Sequence, residues 1–141
     1  MSQDNVEIVR RAYSLAKESE TYSFVAANHD LYDEYFHHDA ELVPPAIYPD
    51  TEPSYSGFDG FNRFQRQLDE IWDDWRFEAE RYFDAGDQVV VFVRISGTGK
   101  QSGAAVAIST AHVFSLRDGR ATRFEIFLDR GEALRAAGVS E

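Results

Sequence analysis

The chain has 141 residues, 25 acidic against 14 basic side chains for a formal charge of -11, and no cysteine. That length suits one domain spanning residues 1–141 with a real core. The charge argues against nucleic acid and anionic membranes as partners, and the cysteine count excludes disulfides and thiolate metal sites. The opening MSQDNVEIVRR lacks the basic start and apolar stretch of a secretory segment. No apolar run approaches the roughly 20 residues of a membrane span, so a soluble cytoplasmic protein is expected. With 11 phenylalanines and seven tyrosines, the aromatic residues must fill a core or line a cavity.

Asp4 and Glu7 have capping-box spacing, and Ile8, Val9, Ala12, Tyr13, Leu15 and Ala16 share one broad face, which predicts a first helix over residues 5–18. Phe24, Val25, Asn28, Leu31, Tyr32, Tyr35 and Phe36 recur at three and four residues, predicting a second helix that ends near His37. Residues 40–43 read as a short strand stopped by Pro44 and Pro45, because proline has no ladder donor and restricts its predecessor. A proline-rich loop with Tyr48 and Tyr55 follows over residues 46–56; such loops more often form a lid or mouth than filler. After Gly57-Phe58-Asp59-Gly60, the stripe Phe61, Phe64, Leu68, Ile71, Trp72 and Trp75 gives the clearest helix signal of the chain, with Asp69, Glu70, Asp73 and Asp74 on its wet side.

Phe77, Ala79 and Phe83 alternate imperfectly with acids, as in a half-buried strand that turns at residues 84–87. Three long strands fill residues 84–129. The run Val89 to Val93 is a central strand, and Asp118-Gly119 is a hairpin turn whose residues tolerate positive φ. Asp129 with Glu132 repeats the capping-box spacing, and Gly138 is placed to end a short helix. Helices first and antiparallel strands afterwards make an α+β layout, with helices packed on one face of a curved sheet.

These words in this order, YSGFDGFNRF, DAGDQVVVFVRISGTGKQSG, AHVFSLRDGR and FLDRGEALRAAG, resemble the SnoaL-like branch of the nuclear transport factor 2-like superfamily, to which the ketosteroid isomerases belong. The resemblance covers nearly the whole chain. It implies a cone-shaped half-barrel: a curved, mostly antiparallel sheet wrapped around one long helix, with two further N-terminal helices, an apolar pocket open at one end and homodimerisation through the sheet. It does not imply one activity, because the fold hosts isomerases, cyclases, dehydratases, hydrolases and proteins without chemistry. The steroid isomerases' aspartate base, tyrosine and protonated aspartate fall on Pro44, Ala12 (with Tyr13 one residue off) and Ala111. The acid of the polyketide cyclases has no counterpart in Ser109-Thr110-Ala111-His112, and of the limonene-type epoxide hydrolases' Asp, Arg, Asp set only Arg94 could serve.

Three side chains remain as catalytic candidates: Arg94, His112 and Tyr13. The resemblance puts Arg94 on the pocket side with Phe92 and Ser96, where a guanidinium needs a carboxylate, carbonyls or an anionic ligand; the alternative is a structural ion pair. His112 has the pKa of an acid/base, but strand alternation sets it opposite Ala111, so with Ala111 facing the pocket His112 faces away as a structural histidine. Glu125 carries the same ambiguity, and a change of parity would move Arg94, His112 and Glu125 together. Tyr13 is the best pocket hydroxyl or else a core tyrosine. His37-His38-Asp39 lacks metal-ligand spacing and no glycine-rich phosphate loop is present, so neither metal nor cofactor is expected.

The expectation is a pocket lined by Tyr13, Phe61, Phe64, Trp72, Phe92, Phe124, Ile126 and Leu128 that takes a small apolar, aromatic or polyketide-like ligand with a carbonyl or carboxylate near Arg94. As an enzyme it would run cofactor-free isomerisation, cyclisation, dehydration or hydrolysis, with His112 as acid/base and Arg94 or Tyr13 as oxyanion partner. The alternative is a non-catalytic ligand-binding or dimeric assembly module.

Overall fold

The computed structural model describes residues 2–18, 29–45 and 52–139. The expectations for Phe24, Val25, Asn28 and Tyr48 fall outside them. Helix α1 is Ser2–Glu18, starting three residues before the predicted boundary, and α2 is His29–Tyr35. Strand β1 is Phe36–Val43, β2 Tyr55–Ser56, α3 Gly57–Ile71, β3 Trp72–Ala85, β4 Gln88–Gly99, β5 Ala105–Arg117, β6 Arg120–Phe127 and α4 Arg130–Ala136. The strands form one six-stranded sheet in the order β2-β1-β6-β5-β4-β3. β1 and β6 run parallel, and the other neighbours run antiparallel.

Tertiary pairing moves three predicted boundaries. Phe36 opens β1 rather than closing α2, because it pairs with Ala121 of β6. Tyr55 and Ser56 leave the predicted loop to pair with Leu42 and Glu41. Trp72 and Trp75 continue the helical stripe in sequence yet belong to β3, since Trp72 turns to extended backbone (φ -122, ψ 139) and pairs with Gly99. Helix α3 begins at Gly57, whose φ of +69 is left-handed and where a Cβ would stand 2.9 Å from the His38 carbonyl oxygen; glycine is required there.

The sheet has an apolar layer on each side. On the inner face, Val89, Val91, Val93 and Ile95 of β4 lie with Phe114 and Leu116 of β5, Phe124 of β6 and Phe77 of β3. They pack against Val9, Ala12 and Tyr13 of α1 and Phe61, Phe64 and Leu68 of α3. On the outer face, Val90, Phe92, Ala111 and Val113 are covered by Ala133 and Leu134 of α4. Burial on both faces is why residues 89–93 read as an unbroken apolar run.

Asp129 caps α4 by accepting from the Glu132 amide at 3.0 Å, as its spacing predicts. Its first residue then clamps the helix to the sheet. Arg130 Nε donates to the Thr110 carbonyl at 3.0 Å, and Nη2 donates to Glu80 at 2.5 Å and to the Val93 carbonyl at 3.3 Å. The guanidinium lies over the Phe92 ring, 4.6 Å from its centre. Because Arg130 and Glu80 are partly in water, Arg130→Met is expected to cost about 1 kcal/mol, seen as a lower thermal midpoint without loss of the sheet signature in circular dichroism.

Candidate functional site

Strand register decides which side chains face the helices. Cross-strand partners share a face, and Val91 pairs with His112, which pairs with Ile126. His112 therefore lies on the inner face with Val91. Ala111, paired with Phe92, lies outside under α4. This reverses the expected parity: Phe92 is beneath α4, and Arg94, two residues further along the same outer face, is exposed. Neither belongs to the inner face. The physical reason is that β4 is apolar on both sides, so its composition carries no mark of which side the helices take.

His112 is 4 % exposed and Tyr13 of α1 is 4 % exposed. The Tyr13 hydroxyl stands 2.5 Å from His112 Nδ1. The two ring planes are within 12° of parallel with centres 6.0 Å apart, which brings the hydroxyl toward the imidazole plane at Nδ1. Phe124 meets the imidazole edge to face at 4.7 Å. Phe77, Tyr82 and Phe114 ring Tyr13 edge-on at 5.5, 6.2 and 5.7 Å. Aromatic contact continues from Phe114 to Phe124 (4.8 Å) and from Phe124 to Phe61 (6.2 Å).

Burial sets the electrostatics. Desolvation holds the His112 imidazole down to about 3, so it is neutral over the physiological range. Desolvation, helped by the neighbouring Tyr82 phenol, pushes Tyr13 well above the usual phenol value. Among the described residues no hydrogen bond reaches His112 Nε2. Trp72 Nε1 is the sole fully buried side-chain nitrogen or oxygen without a partner there.

Of the predicted site residues, the inner face thus gathers Tyr13, His112, Phe61, Phe124 and Ile126. Phe64 is buried beside it, 5.3 Å from the Tyr55 ring. Trp72 sits where α3 gives way to β3, 6.1 Å from Trp75. Leu128 lies just past the end of β6 and is 37 % exposed. Glu125 pairs with Val113 on the outer side and meets Arg123 at 3.3 Å. Sequence reasoning missed Phe77, Tyr82 and Phe114 as the collar of Tyr13. The available signal was the imperfect alternation of β3: its register shifts between Ala79 and Arg81, turning Tyr82 inward and Phe83 outward onto Phe92 at 4.7 Å.

A cleft of about 370 Å³, whose lining includes neither Tyr13 nor His112, is formed by Tyr32, Asp33, His38 and Ser56 to Asp59 at the start of α3. Among the described residues no group of three or more His, Asp or Glu could hold a metal ion.

A curved, unclosed six-stranded sheet cupping helices on its inner face is the nuclear transport factor 2-like fold. Within it, the chain belongs to the SnoaL-like family: residues 20–124 match the SnoaL-like domain. No curated protein sequence matches the chain. Among solved structures, it is similar to TerC co-crystallised with polyporic acid (21% identity, 96% of this chain and 98% of that one, TM-score 0.74). It also resembles a protein of the nuclear transport factor 2-like class from Burkholderia thailandensis E264 (25% identity, 92% and 96%, TM-score 0.74). A third similar structure is a protein from Jannaschia sp. CCS1 assigned as a SnoaL-like polyketide cyclase (20% identity, 99% and 94%, TM-score 0.70).

Proposed function

We propose that this chain binds a compact aromatic or polyketide-like molecule against the inner face of its sheet, without a cofactor, and that Tyr13 and His112 form the polar pair that meets it. The observation that carries this reading is the 2.5 Å hydrogen bond between two buried, uncharged, titratable side chains within an otherwise aromatic surface. A pair of this kind suits proton transfer or polarisation at one polar group of an apolar ligand, the chemistry of cofactor-free isomerases, cyclases, dehydratases and hydrolases. TerC, which shares the fold, was crystallised with a small organic ligand, polyporic acid. Arg94 has no part in this proposal.

A second reading, a non-catalytic binding or dimeric assembly module, is favoured by one feature. Among the described residues the hydrogen-bond and ring partners of His112 are Tyr13 and Phe124, neither of them a carboxylate that could act as a base beside the imidazole. In both readings we propose a homodimer through the part of the outer sheet face that α4 leaves uncovered.

Calorimetric titration with a panel of aromatic ketones and phenols, alongside light scattering, separates the readings. Binding with a dissociation constant tighter than about 1 mM, the level of about -4 kcal/mol, is the expected result. A dimer that binds none of the panel would leave assembly alone.

A further inference from the structure

We infer that Tyr13 is a positioning residue that locks His112 in the Nε2–H tautomer, so that the inner face reads a neutral acceptor, a ketone or quinone carbonyl, in preference to a carboxylate or an ammonium group. This rests on the ligand pocket proposed above and names the chemical class it selects. One hydrogen bond, from or to the Tyr13 hydroxyl, engages Nδ1. A phenol loses its proton far more readily than a neutral imidazole N–H does, and is the stronger donor of the two. Tyr13 therefore donates, Nδ1 accepts, and the imidazole proton is left on Nε2. The nearly parallel rings place the hydroxyl along the in-plane direction of Nδ1, the geometry either direction of this bond needs, so the acidity difference decides which group donates.

Nε2–H is then a donor with no hydrogen-bond partner among the described residues. A donor held in an apolar setting rewards an acceptor strongly, because its alternative is an unmade bond. The groups facing the imidazole decide what kind of acceptor. Tyr13 comes from α1, Val91 from β4, and Phe124 and Ile126 from β6. Behind Tyr13 stand Tyr82 of β3 and, over its ring at 4.5 Å, Arg10, which pairs with Glu7 at the surface. Among the described residues, none of these groups at the imidazole is charged. A carboxylate would lose its water without gaining a counter-ion, and an ammonium group would meet a donor instead of an acceptor. A carbonyl on a flat apolar frame incurs neither cost. His112 thus serves as an electrophile that polarises the carbonyl and not as a base, the use to which a neutral imidazole with depressed basicity is suited.

Nitrogen NMR of the wild-type protein at neutral pH reads the tautomer directly, with the His112→Asn variant identifying the resonances. The expected spectrum has pyridine-type Nδ1 and pyrrole-type Nε2; pyrrole-type Nδ1, or an imidazolium, would overturn the inference whatever the protein binds. In Tyr13→Phe the tautomers are expected to mix while burial still keeps the imidazole neutral, a change in the nitrogen spectrum that a purely structural tyrosine would not cause. Binding supplies the second arm, with indanone and indane as probes differing by one carbonyl. The wild type is expected to prefer the ketone by roughly fivefold, the value of one good hydrogen bond, and His112→Asn to lose that preference. Equal affinity for the two probes would overturn the carbonyl assignment. If neither binds while the nitrogen spectrum is as expected, the pocket reading itself fails, and the ligand class with it.

Discussion

Phe114→Ala is expected to cost about 3–5 kcal/mol of folding stability, the range for removing a fully buried aromatic ring. Phe114 is 1 % exposed and occupies the crossing point of the inner face. Its ring meets Tyr13 at 5.7 Å, Phe124 at 4.8 Å and Phe36 at 6.4 Å, so truncation opens a void shared by β1, β5, β6 and α1. Neighbours held by strand register can close such a void only in part, and a loss near the top of the range follows. Urea unfolding monitored by circular dichroism measures it. A loss below about 1 kcal/mol would mean that the inner face is open around Phe114, contrary to the packing described.

Acid is expected to weaken the fold through His112. Its folded-state value lies near 3 while an unfolded imidazole titrates at 6.5. The folded state therefore binds fewer protons across that interval. The stabilisation is fully present above about 6.5, falls away as the pH drops toward 3, and levels off below. Between about pH 7.5 and about pH 5 this one group accounts for roughly 2 kcal/mol. Titrating carboxylates change stability over the same range, so the informative quantity is the difference between wild type and His112→Asn, whose amide oxygen can still accept from Tyr13. That difference is expected to shrink by about 2 kcal/mol on acidification, read from urea midpoints at the two pH values. Parallel curves would show that the imidazole is not buried neutral. At the alkaline end Tyr13 acts in the opposite sense: its raised value keeps the folded phenol protonated, so stability falls as the pH climbs above the usual phenol value of 10.0.

The strand core was legible because its signals are local. Asp118 and Gly119 both adopt positive φ, at 54° and 81°, as a tight hairpin between β5 and β6 demands. The apolar run of β4 and the Asp129 cap likewise announced themselves. What the residues could not reveal was which side of each strand faces the helices. Alternation reports parity only when one face is wet, and β4 has α1 on one side and α4 on the other. Assigning Phe92 and Arg94 inward turned His112 outward in the same stroke. The register shifts at Ala79/Arg81 and Ser115/Leu116 hid the correct phase further, because each extra residue flips the strand beyond it. Tyr13 and His112 stood out in the sequence as candidates, but their meeting depended on pairing between segments 99 positions apart. Trp72 and Trp75 show the converse: helical spacing yields to sheet pairing when an edge strand extends by four residues at the end of α3.

We place the proposed ligand chemistry on the inner face, at the Tyr13–His112 pair and not at Arg94. The dissociation constant of indanone for wild type, Arg94→Met and His112→Asn tests it in one series. Arg94→Met is expected to bind as the wild type does, and His112→Asn several-fold more weakly, by roughly the one hydrogen bond lost. Weakened binding in Arg94→Met with unchanged affinity in His112→Asn would contradict the account and move the site to the outer face of the sheet.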